Sequence, residues 1–424
     1  MNKKSLILLL ISVLLFSSCG KQLDLYPHSA ASSSNLTAAD IELLLQGVYN
    51  FMQNAPGRES YIMYDLVGGN LVTARGSGGP LPLINSIMRP EQGMISDAWK
   101  GYYRALYQVN ELQKAINTME ASAEKDELTG TVNFFRGYIY YNLVTRWGGV
   151  PILKENTADK VARNSEAEVW AFIESELTAA VKLAPAFSDY YYVSQVAAKA
   201  LLARVKLAQG KNAEAAALAE EVINSGQFKL DGFDKLFRNQ QNQEEIFAFK
   251  NLTTESSIAI STLFYTYAQP NKGSYVYAPA SDVMNLYDDI DKRKEFSISV
   301  FGTDNIINKY PSGQAGTDPI IVCRLGELYL ISAEAQGIAG LQRLNELRNF
   351  RGLPDITPSD SEYPDAVQLE RRRELLAEGF RWYDLVRLNK AQSVLGISKA
   401  QLKFPLPESE LVLNNLLEQN EGYN

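Results

Sequence analysis

Apolar positions recur at helical spacing in two blocks of the chain and lose that spacing between them. The clearest stretch runs from Val196 to Phe228, where Ala198, Leu201, Leu202 and Val205 are followed, beyond Gln209-Gly210, by Ala215, Leu218, Ala219 and Val222. Steps of three and four residues on both sides of one glycine predict two helices and a tight turn. Gly210 supplies the permissive backbone there, and Asn212 is placed to cap the second helix. Upstream, Thr37 with Asp40 predicts a helix start, and Ile41, Leu44, Leu45 and Val48 make its buried stripe through Phe51. Further helices are expected from Ser96 to Ala115 and from Leu128 to Trp147, where Gly148-Gly149 stops the second. Ser165 with Glu168 forms a capping box for another helix that reaches Leu183 before Pro185. In the second block helices are expected over Ile321–Ala339, Leu341–Gly352 and Ala366–Leu388. Periodicity fades over 54–95 and 231–319, which are rich in Gly and Pro, with Ile246–Phe249 a short strand candidate. One hairpin cannot bury its own apolar face, so these helices must stack on one another.

The expected fold is therefore mostly α. Small residues at Ala203, Ala215 and Ala219 let antiparallel helices approach closely, and the hairpin resembles a tetratricopeptide-type unit. A curved scaffold of such hairpins, mainly 96–226 and 321–388, would carry long loops, mainly 54–95 and 231–319, and a few short strands within a single domain, 37–424.

The 424 residues are 46% hydrophobic and 21% charged, a globular composition with ample material for a core. A net charge of −8 leaves no basic stripe to neutralise phosphates, which argues against a nucleic-acid partner. Lys3 and Lys4 precede an apolar run from Leu6 to Phe16, too short to span a bilayer but suited to a secretory signal over residues 1–18. Ser17-Ser18-Cys19 resembles a bacterial lipobox, in which Cys19 is acylated, palmitate included, and anchors the chain by its lipid. Residues 19–36 then read as a polar tether. With Cys19 lipidated, Cys323 has no disulfide partner, and its apolar run, Ile320-Ile321-Val322-Cys323, marks it as a small core residue.

Catalytic grammar is sparse. The only histidine, His28, lies in the tether, so neither a His-based metal site nor a His-dependent triad fits the folded body. No Gly-x-Ser-x-Gly elbow, His-Glu-x-x-His or phosphate loop occurs. A glycosidase-type carboxylate pair is the one enzymatic arrangement that composition permits. Asp288, Asp289 and Asp291 lack the glycine and distal glutamate of a calcium loop and read as a solvated charge run beside Lys292, Arg293 and Lys294. Glu378, Arg381, Asp384 and Arg387 recur every three residues, which suggests structural ion pairs on one helix face. No enzyme activity, cofactor or metal is expected.

Seven separated stretches together resemble one family. They are Asp97-Ala98-Trp99 with Tyr103 and Asn110; Phe135-Arg136-Gly137 with Trp147-Gly148-Gly149-Val150-Pro151; Ala197 to Val205; Arg324 to Ala335; Leu344 to Arg348 with Arg351-Gly352-Leu353; Glu370 to Leu375 with Glu378 to Leu385; and the closing Pro405-Leu406-Pro407 with Gln419-Asn420-Glu421-Gly422-Tyr423. In this order they look like the SusD/RagB family of nutrient-binding outer-membrane lipoproteins of the Bacteroidetes. The resemblance implies a lipid-anchored, cell-surface protein that sits as a lid on a SusC-like TonB-dependent porin. It would capture a glycan or, as in some members, a peptide, and would not transform it. A scaffolding protein built on helical repeats is the reading from another class.

Binding an oligosaccharide needs aromatic faces for the C–H surfaces of the rings and polar groups for the hydroxyls. Two loop regions offer both. The first holds Tyr61, Tyr64, Asp65, Asn70 and Arg75 among glycines; the second holds Tyr265, Tyr267, Gln269, Asn271, Tyr275 and Tyr277. These eleven residues are the expected ligand contacts.

Overall fold

A computed structural model describes residues 38–74, 81–256 and 258–423. The lipidation site expected at Cys19, the cap at Thr37 and the candidate ligand residue Arg75 lie outside them. Contacts group Leu44–Asn424 into one compact unit, apart from Met1–Leu43.

Ten helices of seven or more residues carry the fold among the described residues: α1 (Ala38–Asn54), α2 (Gly93–Asn117), α3 (Ala123–Trp147), α4 (Glu166–Leu183), α5 (Gln195–Ala208), α6 (Asn212–Asn224), α7 (Leu325–Ala335), α8 (Leu341–Phe350), α9 (Tyr363–Glu374) and α10 (Arg381–Arg387). Antiparallel neighbours stack in sequence order from α2 to α6, and α7 continues the stack on α6. Every residue of α3 from Gly130 to Trp147 is buried, so this helix forms the centre of the stack and has no solvent-exposed face in its second half. Close approach depends on glycine at two crossings. A Cβ on Gly130 would lie 2.1 Å from the Ala184 backbone nitrogen, and one on Gly101 2.1 Å from the Ala55 carbonyl oxygen. A second core, of Leu330, Ala333, Leu344, Leu347, Tyr363, Val367 and Leu375, joins α7, α8 and α9.

Six short strands form three antiparallel pairs: β1 (Leu71–Thr73) with β3 (Tyr277–Pro279), β2 (Glu245–Phe249) with β6 (Ile320–Arg324), and β4 (Ile298–Phe301) with β5 (Asp304–Ile307).

Several expectations are corrected here. The stretch expected to open a helix at Ile321 is strand β6, and α7 starts at Leu325. The β-branched run Ile320-Ile321-Val322 suits a pleated surface, and β2 offers it a partner. The helix expected over 366–388 is broken, because Ala377 and Gly379 take positive φ values of 60° and 78°. Glu378 therefore lies in the break, not on a face shared with Asp384 and Arg387. Finally, Asn212 is the first residue of α6 and caps nothing, and the preceding Lys211 supplies no side-chain cap. Phe51, at the end of the stripe expected along α1, is 37% exposed.

The acidic run at 288–291 is only partly solvated. Asp289 pairs with Lys294 at the surface, whereas Asp291 is buried against Arg293, 2.8 Å away. Cys323 is buried in β6, as its apolar neighbours imply.

Candidate functional site

The two candidate ligand loops meet in one place. In the β1–β3 ladder Thr73 faces Tyr277, Val72 faces Ala278 and Leu71 faces Pro279, and the backbone continues the pairing from Ala74 N to Val276 O and from Ala280 N to Asn70 O, both at 2.9 Å. Residues more than 200 positions apart thus emerge side by side. Most of the expected contacts, however, are spent on building this junction.

Asp65 is fully buried, and its carboxylate accepts from the Asn70 amide at 2.7 Å, the Ala377 N–H at 3.0 Å and the Gly379 N–H at 2.9 Å. Burial pushes its pKa upward, against the pull of those hydrogen bonds. Asn70 in turn accepts from Arg372 Nε at 2.8 Å. The Tyr64 hydroxyl donates to Thr145 at 2.7 Å while its ring packs on Trp382, and the Tyr61 hydroxyl donates to the Gln53 carbonyl at 2.8 Å. Tyr265 donates to Asn308, Gln269 accepts from the Thr266 N–H at 2.7 Å, and Tyr277 is buried in the β3 ladder. Apart from the half-buried Tyr61, these side chains have their partners inside the protein and present nothing to a ligand at the surface. Glycine-rich, irregular sequence marks the loops correctly, but tight loops must satisfy their own backbone, and polar residues do so.

Four groups remain at the surface of the second loop. Tyr267 is 71% exposed, and the ammonium of Lys272 lies 5.3 Å from its ring centre. Asn271, exposed, donates to the Pro311 carbonyl, and the half-buried Tyr275 donates to Asn305 O at 3.0 Å. The platform is held stiffly. Lys272 and Tyr275 adopt positive φ values of 46° and 44°, and backbone bonds from Gly273 to Thr266 (3.1 Å) and from Tyr275 to Tyr265 (2.9 Å) close the turn beneath Tyr267. An exposed ring with adjacent donors offers what a sugar needs.

A second aromatic cleft escapes sequence reasoning. Tyr49 on α1, Tyr191 and Tyr192 before α5, and Lys250 and Leu252 after β2 surround a cavity of about 240 Å³. Tyr192 is 59% exposed, with its ring 6.0 Å from that of Tyr49 and inclined at 74°. The Tyr49 hydroxyl accepts from the Val193 N–H at 2.8 Å. The Gln53 amide fixes the other wall, donating to the Lys250 carbonyl at 3.0 Å and to Ser256 Oγ at 3.1 Å. The Tyr191 hydroxyl donates to Asn239 at 2.7 Å; burial, then the neighbouring Tyr190, raises its pKa, so it remains protonated at neutral pH. The available signal is the run Tyr190-Tyr191-Tyr192, three aromatics in a row outside any helical stripe.

Among the described residues no group of three or more His, Cys, Asp or Glu is arranged to hold a metal ion, and no helix is long and apolar enough to cross a membrane. Glu374 and Glu378 lie together but completely buried among Arg293, Arg324, Arg351 and Lys309, with their carboxyls held below the ordinary carboxylate range by those cations despite burial. They form a structural knot with no face toward a substrate.

Comparison with known proteins agrees with this architecture. Residues 21–207 match a family described as starch-binding and associating with the outer membrane, and residues 237–403 match the SusD family. A SusD-like protein of Formosa agariphila is 26% identical, with 98% of each chain covered, and another from the same organism is 25% identical over 91% of this chain and 93% of that one. Among solved structures, a laminarin-binding SusD-like protein superposes with a TM-score of 0.80 at 24% identity, covering 92% of this chain and all of the other. A surface glycan-binding protein A from Bacteroides fluxus gives 0.79 at 20% identity, again over 92% of this chain and all of the other. Those two likenesses concern the fold, which is mostly α with few short strands, as the hydrophobic pattern predicts.

Proposed function

This chain belongs to the SusD/RagB family, whose members bind carbohydrate in association with the outer membrane, and we propose that it captures an oligosaccharide at the cell surface and passes it unaltered to a TonB-dependent porin. In this reading Cys19 carries the lipid anchor and the porin is SusC-like. The observation that carries the ligand side is the Tyr267–Lys272 platform, raised on the junction where β1 and β3 bring the two loops together. Asn271 and Tyr275 flank it, and Arg75 follows β1 in sequence. The Tyr49–Tyr192 cleft is a further saccharide contact on the same chemical grounds. Neutral glucans are the first ligands to try, because the family description names starch and one structural relative is named for laminarin.

The test is titration of the purified protein with starch and laminarin oligosaccharides and with a mixed peptide pool. Saturable glucan binding that weakens about tenfold in Tyr267→Ala or Tyr192→Ala, with the helical circular dichroism intact, is the expected result, since loss of one ring contact costs about 1 kcal/mol or slightly more. Unchanged affinity in both variants would remove both contacts. Peptide binding alone would replace the glycan, and fragments accumulating on long incubation would overturn capture without catalysis. Recovery of a porin with the tagged protein from outer membranes tests the partner.

A further inference from the structure

Arg146, on α3, is 3% exposed. Every other arginine of comparable burial among the described residues has a carboxylate at hand: Arg204 has Glu327, Arg293 has Asp291, Arg324 and Arg351 have Glu374, Arg348 has Glu370, Arg371 has Asp384, and Arg136 has Glu176. Arg146 has none. Its guanidinium donates from Nη1 to the Asn142 carbonyl at 3.0 Å and to the Asn142 amide oxygen at 2.9 Å, and from Nη2 to the Ser60 carbonyl at 2.8 Å. It lies over the Tyr64 and Tyr102 rings, 4.5 and 5.4 Å from their centres. All of these partners are neutral, and its buried Nε has no acceptor.

Beside it is a cavity of about 50 Å³, walled by Ser60, Tyr61, Tyr102, Tyr138, Tyr141 and Arg146. Arg204 and Glu378 also reach its wall, but each is neutralised, the first by Glu327 and the second by Lys309 and Arg324. The space exceeds the roughly 10–15 Å³ that one water-sized guest requires and is far too small for a sugar. A buried charge without a counter-charge costs several kcal/mol, so chains rarely leave one unpaired. Tyr138 and Tyr141 donate to no acceptor among the described residues, and burial raises the pKa of both, so their hydroxyls stay protonated. The cavity therefore combines a net positive wall with unused O–H donors.

We propose that this cavity is a binding site for a small monovalent anion of the halide type, which takes the place of the missing carboxylate at Arg146 and accepts from the tyrosine hydroxyls. The ion would pin the stretch around Ser60, below the ligand loops, to the central helix α3. The inference rests on the buried cation and its cavity and is independent of what the loops bind.

Two measurements decide it. Thermal unfolding of the purified protein is followed in chloride, bromide and gluconate at equal ionic strength, and crystals grown in sodium bromide are examined for anomalous scattering. The midpoint should rise with halide but not with gluconate, and a bromide peak should stand in the cavity beside Arg146, Tyr138 and Tyr141. Tyr138→Phe, which removes one donor and little volume, should weaken the apparent halide affinity at least tenfold, and Arg146→Gln should abolish the halide dependence. Equal midpoints in halide and gluconate, or density for water alone with no anomalous signal, would overturn the proposal. A halide effect that persists in full in Tyr138→Phe would do the same.

Discussion

Asp65 and Tyr267 illustrate how one residue type list divides into two roles. Both sit in irregular, glycine-bearing sequence that suits ligand contact, yet Asp65 has no exposure and three N–H donors, whereas Tyr267 is 71% exposed. Asp65→Ala should destabilise the protein by about 3 kcal/mol or more, since it leaves buried N–H groups of Ala377 and Gly379 without an acceptor. Urea unfolding measures this, and glucan affinity of the folded fraction should be unchanged. Glu245 gives a pH-dependent case. Burial first, with the adjacent Glu244 carboxylate also acting, raises its pKa to about 8, although Asn242 pulls the other way. A folded-state value above the ordinary 4.5 means the folded protein binds the extra proton. Glu245 thus costs nothing at acid pH, and stability falls as pH rises from about 4.5 through 8. Glu245→Gln should flatten that decline and raise the unfolding midpoint at pH 9 relative to the parent. Sequence shows the carboxylate at 245 but not the strand pairing that takes it out of water.

Helix boundaries are the most legible elements. Ser165 and Glu168 form both bonds of the capping box, with the Ser165 N–H donating to the Glu168 carboxylate at 2.7 Å and the Glu168 N–H to Ser165 Oγ at 3.3 Å. Ser165→Ala should therefore cost about 1 kcal/mol, read as a lowered midpoint in thermal unfolding. The hairpin of α5 and α6 is equally plain, because small residues and Gly210, at φ 70°, fall where a turn between packed helices requires them. Less legible are β6 and the interruption between α9 and α10. An apolar run of four residues has no period that separates strand from helix. The interruption is imposed from outside, since the amides of Ala377 and Gly379 turn away from helical pairing to meet Asp65, more than 300 residues earlier in the chain.

At the scale of the whole molecule, one buried ionic knot joins segments that no local rule connects. Arg324 of β6 and Arg351 after α8 both reach Glu244, next to β2, and Glu374, at the end of α9, while Arg293 also reaches Glu374 and Lys309 closes on Glu378. Glu374→Gln leaves three guanidinium groups short of charge and should cost about 3–5 kcal/mol. The arginines hold the Glu374 carboxyl well below its ordinary range despite its burial, so its contribution is present above about pH 4.5 and is lost as pH falls. Steeper acid unfolding of the parent than of Glu374→Gln checks that sign. The sequence by itself determined that the chain is a stack of helical hairpins, where some of those helices begin and end, and that two aromatic loop regions interrupt them, because helical periodicity, caps and glycines act over a few residues. Only the tertiary structure decided which tyrosines face water, where Ile320–Arg324 becomes a strand, and which arginine is left without a carboxylate. Those outcomes depend on partners brought together from distant parts of the chain, and a side chain's exposure or charge balance has no meaning until they are in place.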